Sequence, residues 1–465
     1  MSSIQDALDN MRHFGQSHLL QFEAELTECQ REELIAQLSE IDWEQLSRLT
    51  KTDEKSTDWS SLARRAERPP AFLVEDSDAI ISLTAAREAG QQALGAGRVA
   101  VILVAGGQGT RLGFDQPKGL LPIGPISGRS LFQMHCDRLQ AVSRRYARRI
   151  PLYVMTSPAT DLETRDYFQR HDNCGLLPDQ LRVFCQGTMP AVDKQTGKVL
   201  LSSKNSLALS PDGHGGILQA LQRSGDLSRM MERGVDIIYY AQVDNPLAEL
   251  CAPELIGYHL LSQSQVTTQV VKKRFPKEKV GNVVSVDGKV QIIEYSDLPD
   301  DVAEQKEPNG SLRLWAGNIA IHVFDVRFLQ SVVDSPIGLP FHLAHKKVPY
   351  VNNQGRIVEP IEPNAIKFER FVFDLLPLAE RAIVVEGEAA DVFAPVKNAD
   401  GAATDTPEHC KQAILAQHRR WIRAAGCTVE EGASVEINPL WALDAKAVAQ
   451  RLATPVHFAV DTYLS

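Results

Sequence analysis

Residues 104–119 read VAGGQGTRLGFDQPKG and follow directly on the apolar run RVAVIL. The chain leaves a predicted buried strand through glycines at 106, 107, 109 and 113, then sets Arg111, Pro117 and Lys118 downstream. A P-loop needs G-x-x-x-x-G-K-[ST], and no such lysine follows Gly107 and Gly113. A dinucleotide fingerprint needs G-x-G-x-x-G, and Leu112 stands where its third glycine would be. What remains is a strand, then G-G-x-G-T-R-L, then P-K. Glycines let a backbone approach a ligand closely, and successive N–H groups form an anion-binding concavity. Arg111 adds a rigid fork suited to phosphate oxygens, and Lys118 a point charge placed by Pro117. The pattern suits a triphosphate about to be cut between its α and β phosphorus atoms. Val104, Ala105, Gly106 and Gly107 are expected to line that nucleotide, with Arg111 and Lys118 neutralising the leaving pyrophosphate.

The chain has 465 residues, which corresponds to about three domain-sized units. Apolar residues make up 43% and charged residues 23%, so a sizeable core can be buried. The net charge is −10 and the cations are spread along the chain. That argues against the basic face that nucleic acid or an anionic membrane would want, but not against a small anionic ligand held by a few local cations. The seven cysteines, at 29, 136, 174, 185, 251, 410 and 427, form no C-x-x-C pair and their number is odd. Neither a disulfide framework nor a zinc ribbon is indicated. The start, MSSIQDALDNMRHFGQ, lacks an apolar signal core, and no run approaches membrane-spanning length, so a cytoplasmic location is expected.

Residues 1–95 read as a helical region. HLLQFEAEL and REELIAQLSEI place apolar residues three and four apart, and Thr27 with Gln30 and Asp42 with Gln45 have helix-start spacing. The polar segment 51–70, ending in Pro69-Pro70, reads as a linker or surface wrap. From Arg98 onward VAVILV, LYVMT and VDIIYYAQVD alternate with helical stretches such as LFQMHCDRLQAV. This predicts an α/β domain over 96–375 with helices on a mostly parallel sheet. VTTQVV, KVQIIEY and LWAGNIAIHVF add a strand-rich, mixed patch between 266 and 325. A tail, 376–465, carries AIVVE, a Gly/Ala/Asp-rich loop and a basic helix near Lys411–Arg423.

The glycine loop plus P-K resembles the signature of sugar nucleotidyltransferases. The wider match is to the eukaryotic-type UDP-N-acetylhexosamine pyrophosphorylases. It runs from GQSHLLQF through QGTMPAVD, SLALSPDGHGG, AQVDNPLAE, KVGNVVSVDGKVQIIEYSDL, WAGNIAIHVF and IKFERFVFD to PVKNADG and VEINPL, in order and over nearly the whole chain. The resemblance implies a Rossmann-like nucleotidyltransferase fold with a mixed, mostly parallel central sheet, a helical N-terminal region and a small C-terminal domain. It implies UTP and a sugar 1-phosphate as substrates and a UDP-sugar and pyrophosphate as products, with no nucleic-acid or membrane partner.

Residue by residue, the resemblance makes Gln186 and Gly213 uracil contacts; an amide can both donate to and accept from the edge of uracil. Asp244, at the end of IIYYAQVD, becomes the Mg²⁺ ligand, at the carboxyl end of a strand where α/β sheets place ligands. Gly281, Glu294, Tyr295 and Asn318 match sugar-binding positions, and Lys367 and Lys397 match phosphate-contacting lysines. Lys397 lies in the tail, which is therefore expected to close over the site. His214 departs from the pattern. The N-acetylhexosamine enzymes read P-D-G-N-G-G where this chain reads PDGHGG, and G-H-G resembles the UDP-glucose pyrophosphorylases. N-acetylglucosamine 1-phosphate is the expected acceptor; glucose 1-phosphate, a broader sugar range, or a non-catalytic UDP-sugar-binding regulator are the alternatives. His342 and His345 lie three apart in FHLAHKK without a third zinc ligand, and read as surface histidines.

Overall fold

The computed structural model describes residues 4–51, 58–74, 80–335 and 338–465. Val99 to Leu103, almost wholly buried, form the middle of a strand flanked on each side by a parallel neighbour. A strand covered on both faces has no use for polar alternation, hence its unbroken apolar run. It belongs to a sheet of ten strands. Its first five are β1 (Ala71–Phe72), β2 (Val99–Val104), β3 (Leu152–Thr156), β4 (Leu181–Cys185) and β5 (Ile237–Gln242). The rest are β6 (Val266–Lys272), β7 (Asn282–Val286), β8 (Lys289–Ile293), β9 (Ala316–Asp325) and β10 (Ala382–Glu386).

The strand order is β1-β10-β6-β9-β5-β2-β3-β4. Neighbours are parallel except around β9, which runs antiparallel to both β6 and β5. β7 and β8 form a hairpin joined to β9 at Asn282 and Gly317. The mixed, mostly parallel sheet read from the sequence is the one that forms. Helices α1 (Leu83–Ala96), α2 (Leu131–Arg145), α3 (Pro253–Leu261) and α4 (Pro407–Ala424) contribute buried side chains to its main core.

Compactness does not follow chain order. One unit comprises residues 59–185, 220–336 and 375–465 and contains the whole sheet. The other comprises residues 1–58, 186–219 and 337–374. Its core joins Leu8, Met11, Leu34, Leu38 and Trp43 of the N-terminal helices to Val192, Leu201, Val351 and Phe368. A three-stranded antiparallel sheet, His342–Lys346, Ala365–Glu369 and Val192–Asp193, runs through it. The tail, expected as a separate closing domain, instead shares the unit of the sheet. β10 pairs with β6, and Val392, Ala394 and Val396 enter the main core. Residues beyond α4 add a small core of their own around Val435, Ile437 and Phe458.

Local readings fare unevenly. Thr27 and Gln30 form a reciprocal capping box, and Asp42 Oδ1 accepts from Gln45 N at 2.9 Å. HLLQFEAEL makes two short 3₁₀ turns, Ser17–Leu20 and Glu23–Glu25, instead of a helix. Of the predicted linker, residues 52–57 lie outside the described residues. Trp59–Arg65 is helical because Ala63 packs on the apolar face of the β7–β8 hairpin, against Val284, Val286 and Ile293. No helix among the described residues is long and apolar enough to cross a membrane.

Candidate active site

In the unit of the sheet, the carboxyl ends of β2, β3 and β5 lie in register: Val104 pairs with Gln242 on one side and Met155 on the other. The loop after β2 is pinned at its root. Ala105 N donates to Met155 O at 2.8 Å, and Ser157 Oγ donates to Gly106 O at 2.8 Å. The loop then closes on itself, with Gly109 N on Gln116 O at 2.9 Å and Lys118 N on Gly107 O at 3.0 Å. The N–H groups of Gly106 and Gly107 donate to no protein acceptor among the described residues. Arg111 is exposed and forms no ion pair among them. The result is a fixed backbone curve with open donors and a cation beside it, the electrostatics of an anion cradle.

Lys118 is seated firmly. A Cβ on the next residue, Gly119, would lie 2.2 Å from the Phe132 ring of α2, so only glycine lets the chain pass there. Lys118 Nζ reaches Asp244 Oδ2 at 3.0 Å, with side chains only 19% and 12% exposed. His135 of α2 secures the segment leading to Asp244: its Nε2 meets Val243 O at 3.0 Å, and burial pushes its pKa down to about 4. A neutral ring with Nε2–H donating follows. On the far side of Asp244, its carbonyl accepts from Val396 N at 2.8 Å, which brings Lys397 next to the same strand end. Asn245 clamps this strap, Nδ2 donating to Val392 O at 2.8 Å and Oδ1 accepting from Ala394 N at 3.0 Å.

Gly281, Glu294 and Asn318 also converge. A Cβ on Gly281 would lie 3.2 Å from Glu294 Oε1 and 3.7 Å from Asn318 Cβ. Asn318 sits at a bulge where the β6–β9 register shifts and Ala320 takes φ 56°. Its Oδ1 accepts from Ala320 N at 2.9 Å, which leaves the amide nitrogen as the group it can offer a ligand. Tyr295 follows Glu294 and is exposed.

The other unit holds Gln186, Gly213, His214 and Lys367. Gln186 is buried, and the next carbonyl, Gly187 O, accepts from Asp212 N at 3.1 Å, which ties it to the glycine turn. The turn is stitched to 370–372: Arg370 N donates to Asp212 O and Gly215 N to Arg370 O, both at 2.8 Å. His214 Nδ1 accepts from Val372 N at 3.0 Å, and its ring lies near Phe371 and Phe373. Burial, with the His342 charge second, lowers its pKa to about 4, so the neutral ring carries its proton on Nε2. His342 pairs with Asp374 at 2.8 Å, and His345 stands opposite Ile366. Lys367 lies mid-strand opposite Ala344.

The metal question turns on Asp244. Among the described residues no group of three or more His, Cys, Asp or Glu side chains could hold an ion. One carboxylate beside a phosphate cradle fits magnesium, which normally takes one or two carboxylates and completes its shell with phosphates and water. It does not fit zinc.

The family of UTP–glucose-1-phosphate uridylyltransferases matches residues 41–450. The chain belongs to this family. Within it, the uridylyltransferase chain is 38% identical to the Xenopus tropicalis UDP-N-acetylhexosamine pyrophosphorylase-like protein 1, over 89% of this chain and 83% of that protein. It is equally identical, 38%, to the Saccharomyces cerevisiae UDP-N-acetylglucosamine pyrophosphorylase over 75% of each. The Trypanosoma brucei UDP-N-acetylglucosamine pyrophosphorylase, solved with an inhibitor, superposes with a TM-score of 0.82 at 26% identity, covering 99% of both chains. A Leishmania major UDP-glucose pyrophosphorylase, at TM-score 0.60 and 16% identity over 100% of this chain and 98% of that one, shares the fold alone.

Sequence reading missed the supports. Ser157, His135 and Asn245 hold the loop after β2, the segment leading to Asp244 and the strap at 392–394. Asn245 could have been found, since it directly follows Asp244 in AQVDNPLAE; a serine and a buried helical histidine carry no such signal.

Proposed function

We propose that this chain transfers a uridylyl group from UTP to a sugar 1-phosphate, giving a UDP-sugar and pyrophosphate, with N-acetylglucosamine 1-phosphate as the preferred acceptor. The observation that carries the reading is the Lys118–Asp244 pair at 3.0 Å beside the open N–H groups of Gly106 and Gly107, in a chain of this family.

A phosphate oxygen of the sugar 1-phosphate attacks the α-phosphorus of UTP in line. The bond from that phosphorus to the bridging oxygen breaks, and pyrophosphate leaves with the electron pair. No protein nucleophile or base is needed, because a phosphate dianion is already nucleophilic. What the protein supplies is positioning of two mutually repelling anions and stabilisation of the charge that shifts between them. Val104, Ala105, Gly106 and Gly107 line the nucleotide, and Arg111, Lys118, Lys367 and Lys397 balance phosphate charge. Gln186 and Gly213 take the uracil; Gly281, Glu294, Tyr295 and Asn318 take the sugar. Asp244 is the residue to hold Mg²⁺, whose charge would neutralise phosphate oxygens that Lys118 alone leaves exposed to each other. All seven cysteines are free thiols, which favours a reducing compartment such as the cytoplasm.

His214 supports a second reading, transfer to glucose 1-phosphate. Its Nε2–H donates but, unlike an amide, offers no acceptor, so it suits a sugar hydroxyl or phosphate oxygen. The test is pyrophosphate release from UTP with N-acetylglucosamine, N-acetylgalactosamine, glucose and galactose 1-phosphates, repeated with His214→Asn. Fastest release with N-acetylglucosamine 1-phosphate is expected; release with none of the four would end the proposal.

A further inference from the structure

Lys273 directly follows β6, and only 7% of it is exposed. Glu278, the carboxylate whose charge reaches it, is taken by Arg274: its oxygens accept from Arg274 N and Nε, both at 2.7 Å. The Lys273 ammonium donates instead to two neutral oxygens, Asn282 Oδ1 at 2.5 Å and Pro276 O at 3.2 Å. Burial pulls its pKa down to about 8, with the Glu278 charge opposing that pull. A charge taken out of water is costly, and two neutral acceptors offset that cost only in part. A methionine of similar length would fill the same space without it.

What the ammonium holds is a junction of three segments. Asn282 is buried at the start of β7, and its Nδ2 donates to Ile293 O at 3.2 Å. An ammonium has only donors, so Lys273 fixes which end of the Asn282 amide faces it, and with that which end faces Ile293. Three of the residues assigned to the sugar lie one step along the chain from this junction. Gly281 precedes Asn282, Glu294 follows Ile293, and Asn318 follows Gly317, the β9 residue paired with Asn282. Asn318 N also donates to Gly281 O at 2.8 Å. The lysine stem packs along β9 as well: a Cβ on Gly317 would lie 3.4 Å from Lys273 Cγ, and Lys273 N donates to Trp315 O at 2.9 Å.

We propose that Lys273 is a positioning residue for the sugar acceptor, setting the spacing of Gly281, Glu294 and Asn318 through Asn282 without itself contacting substrate. The proposal rests on the assignment of those three residues to the sugar. It separates the two substrates. Gly106, Gly107 and Lys118, assigned to the phosphates of UTP, follow β2 and share no hydrogen bond with this junction among the described residues. A shift of about 1 Å in a substrate-positioning group costs up to about a hundredfold in rate, and here the loss falls on the sugar phosphate and not on UTP.

The test uses Lys273→Met and the double variant Lys273→Met/Asn282→Ala, which removes both partners of the bond, the change a buried polar pair tolerates best. Each is measured twice: UTP affinity by calorimetry without sugar phosphate, and pyrophosphate release at saturating UTP over a range of N-acetylglucosamine 1-phosphate. In both variants KM for the sugar 1-phosphate is expected to rise at least about tenfold, while the Kd for UTP stays within about twofold of the parent. The double variant is expected to be no worse than Lys273→Met, since both changes cut the same link. Should Lys273→Met not fold, the double variant decides by the same two readings. A residue that only stabilises the fold would move the UTP Kd and the sugar KM together. Such parallel losses, an unchanged sugar KM, or a double variant unable to bind UTP would each overturn the proposal. A parent that releases pyrophosphate with none of the four sugar 1-phosphates ends the functional reading itself; an active parent whose Lys273→Met form keeps its sugar KM ends this inference alone.

Discussion

Two glycine-rich turns serve this chain for opposite reasons. In the loop 104–119, a Cβ on Gly107 or Gly113 would meet nothing within 4 Å. In the turn 212–216, a Cβ on Gly213 would lie 2.4 Å from Arg370 O, on Gly215 2.7 Å from Arg370 C, and on Gly216 2.1 Å from Asp212 Oδ1. The first loop is packed at its closing end, where a Cβ on Gly109 would lie 2.6 Å from Phe114 O and one on Gly119 2.2 Å from the Phe132 ring, but at Gly107 it leaves space above the backbone, with donors and cations around it. The second keeps glycine because neighbouring atoms already fill the space, and it presents a neutral histidine. One leaves open donors beside Lys118; the other is a packed platform whose shape the fold itself requires.

The comparison breaks most sharply at Lys118. Lys118→Ala is expected to lower turnover at least about a hundredfold, the scale of losing one preorganised charge donor, read from steady-state pyrophosphate release. Near-normal turnover would remove the charge from the cradle's account. Next comes Gly215→Ala, which should cost about 1–3 kcal/mol of stability by overpacking against 370–371, measured by urea unfolding.

Acid should separate the turns as well. His214 has a folded pKa of about 4 against 6.5 for the free side chain, so the unfolded chain binds its proton first. The stability it contributes is complete above pH 6.5 and is lost as pH falls toward 4. Protonation of the folded ring near pH 4 removes the Nδ1 acceptor of Val372 N–H, so the protection of that amide against hydrogen exchange should fall as pH approaches 4. The amides of the 104–119 loop, which has no histidine, should not follow it. The smallest structural effect belongs to Gly107→Ala: stability within about 0.5 kcal/mol of the parent. Its methyl would nonetheless intrude on the cradle, so a raised KM for UTP is expected alongside the unchanged unfolding curve.

The same contrast marks what the sequence can reveal. Buried parallel strands announce themselves by uninterrupted apolar runs, so β2, β3 and β5 and the loop after β2 are legible from residues alone. So is the place of Asp244, the carboxylate that ends such a run and meets Lys118 in the fold. The second compact unit is not. Its core joins Met11, Leu201 and Phe368 from three distant segments, and no local periodicity encodes that meeting. Trp59–Arg65 reads as linker because its stabilising face is a hairpin more than two hundred residues away in the chain. Lys273 is illegible for a related reason: in VVKKRFPKEK it reads as one surface cation among several, and only the fold turns it inward.

The central claim is that the cradle's open amides and Lys118 receive the phosphates of a uridine nucleotide. A crystal structure of the chain with UTP tests it directly. The account places phosphate oxygens within hydrogen-bond distance of Gly106 N, Gly107 N and Lys118 Nζ. Phosphates seated elsewhere, with Lys118 still held by Asp244 alone, would contradict it.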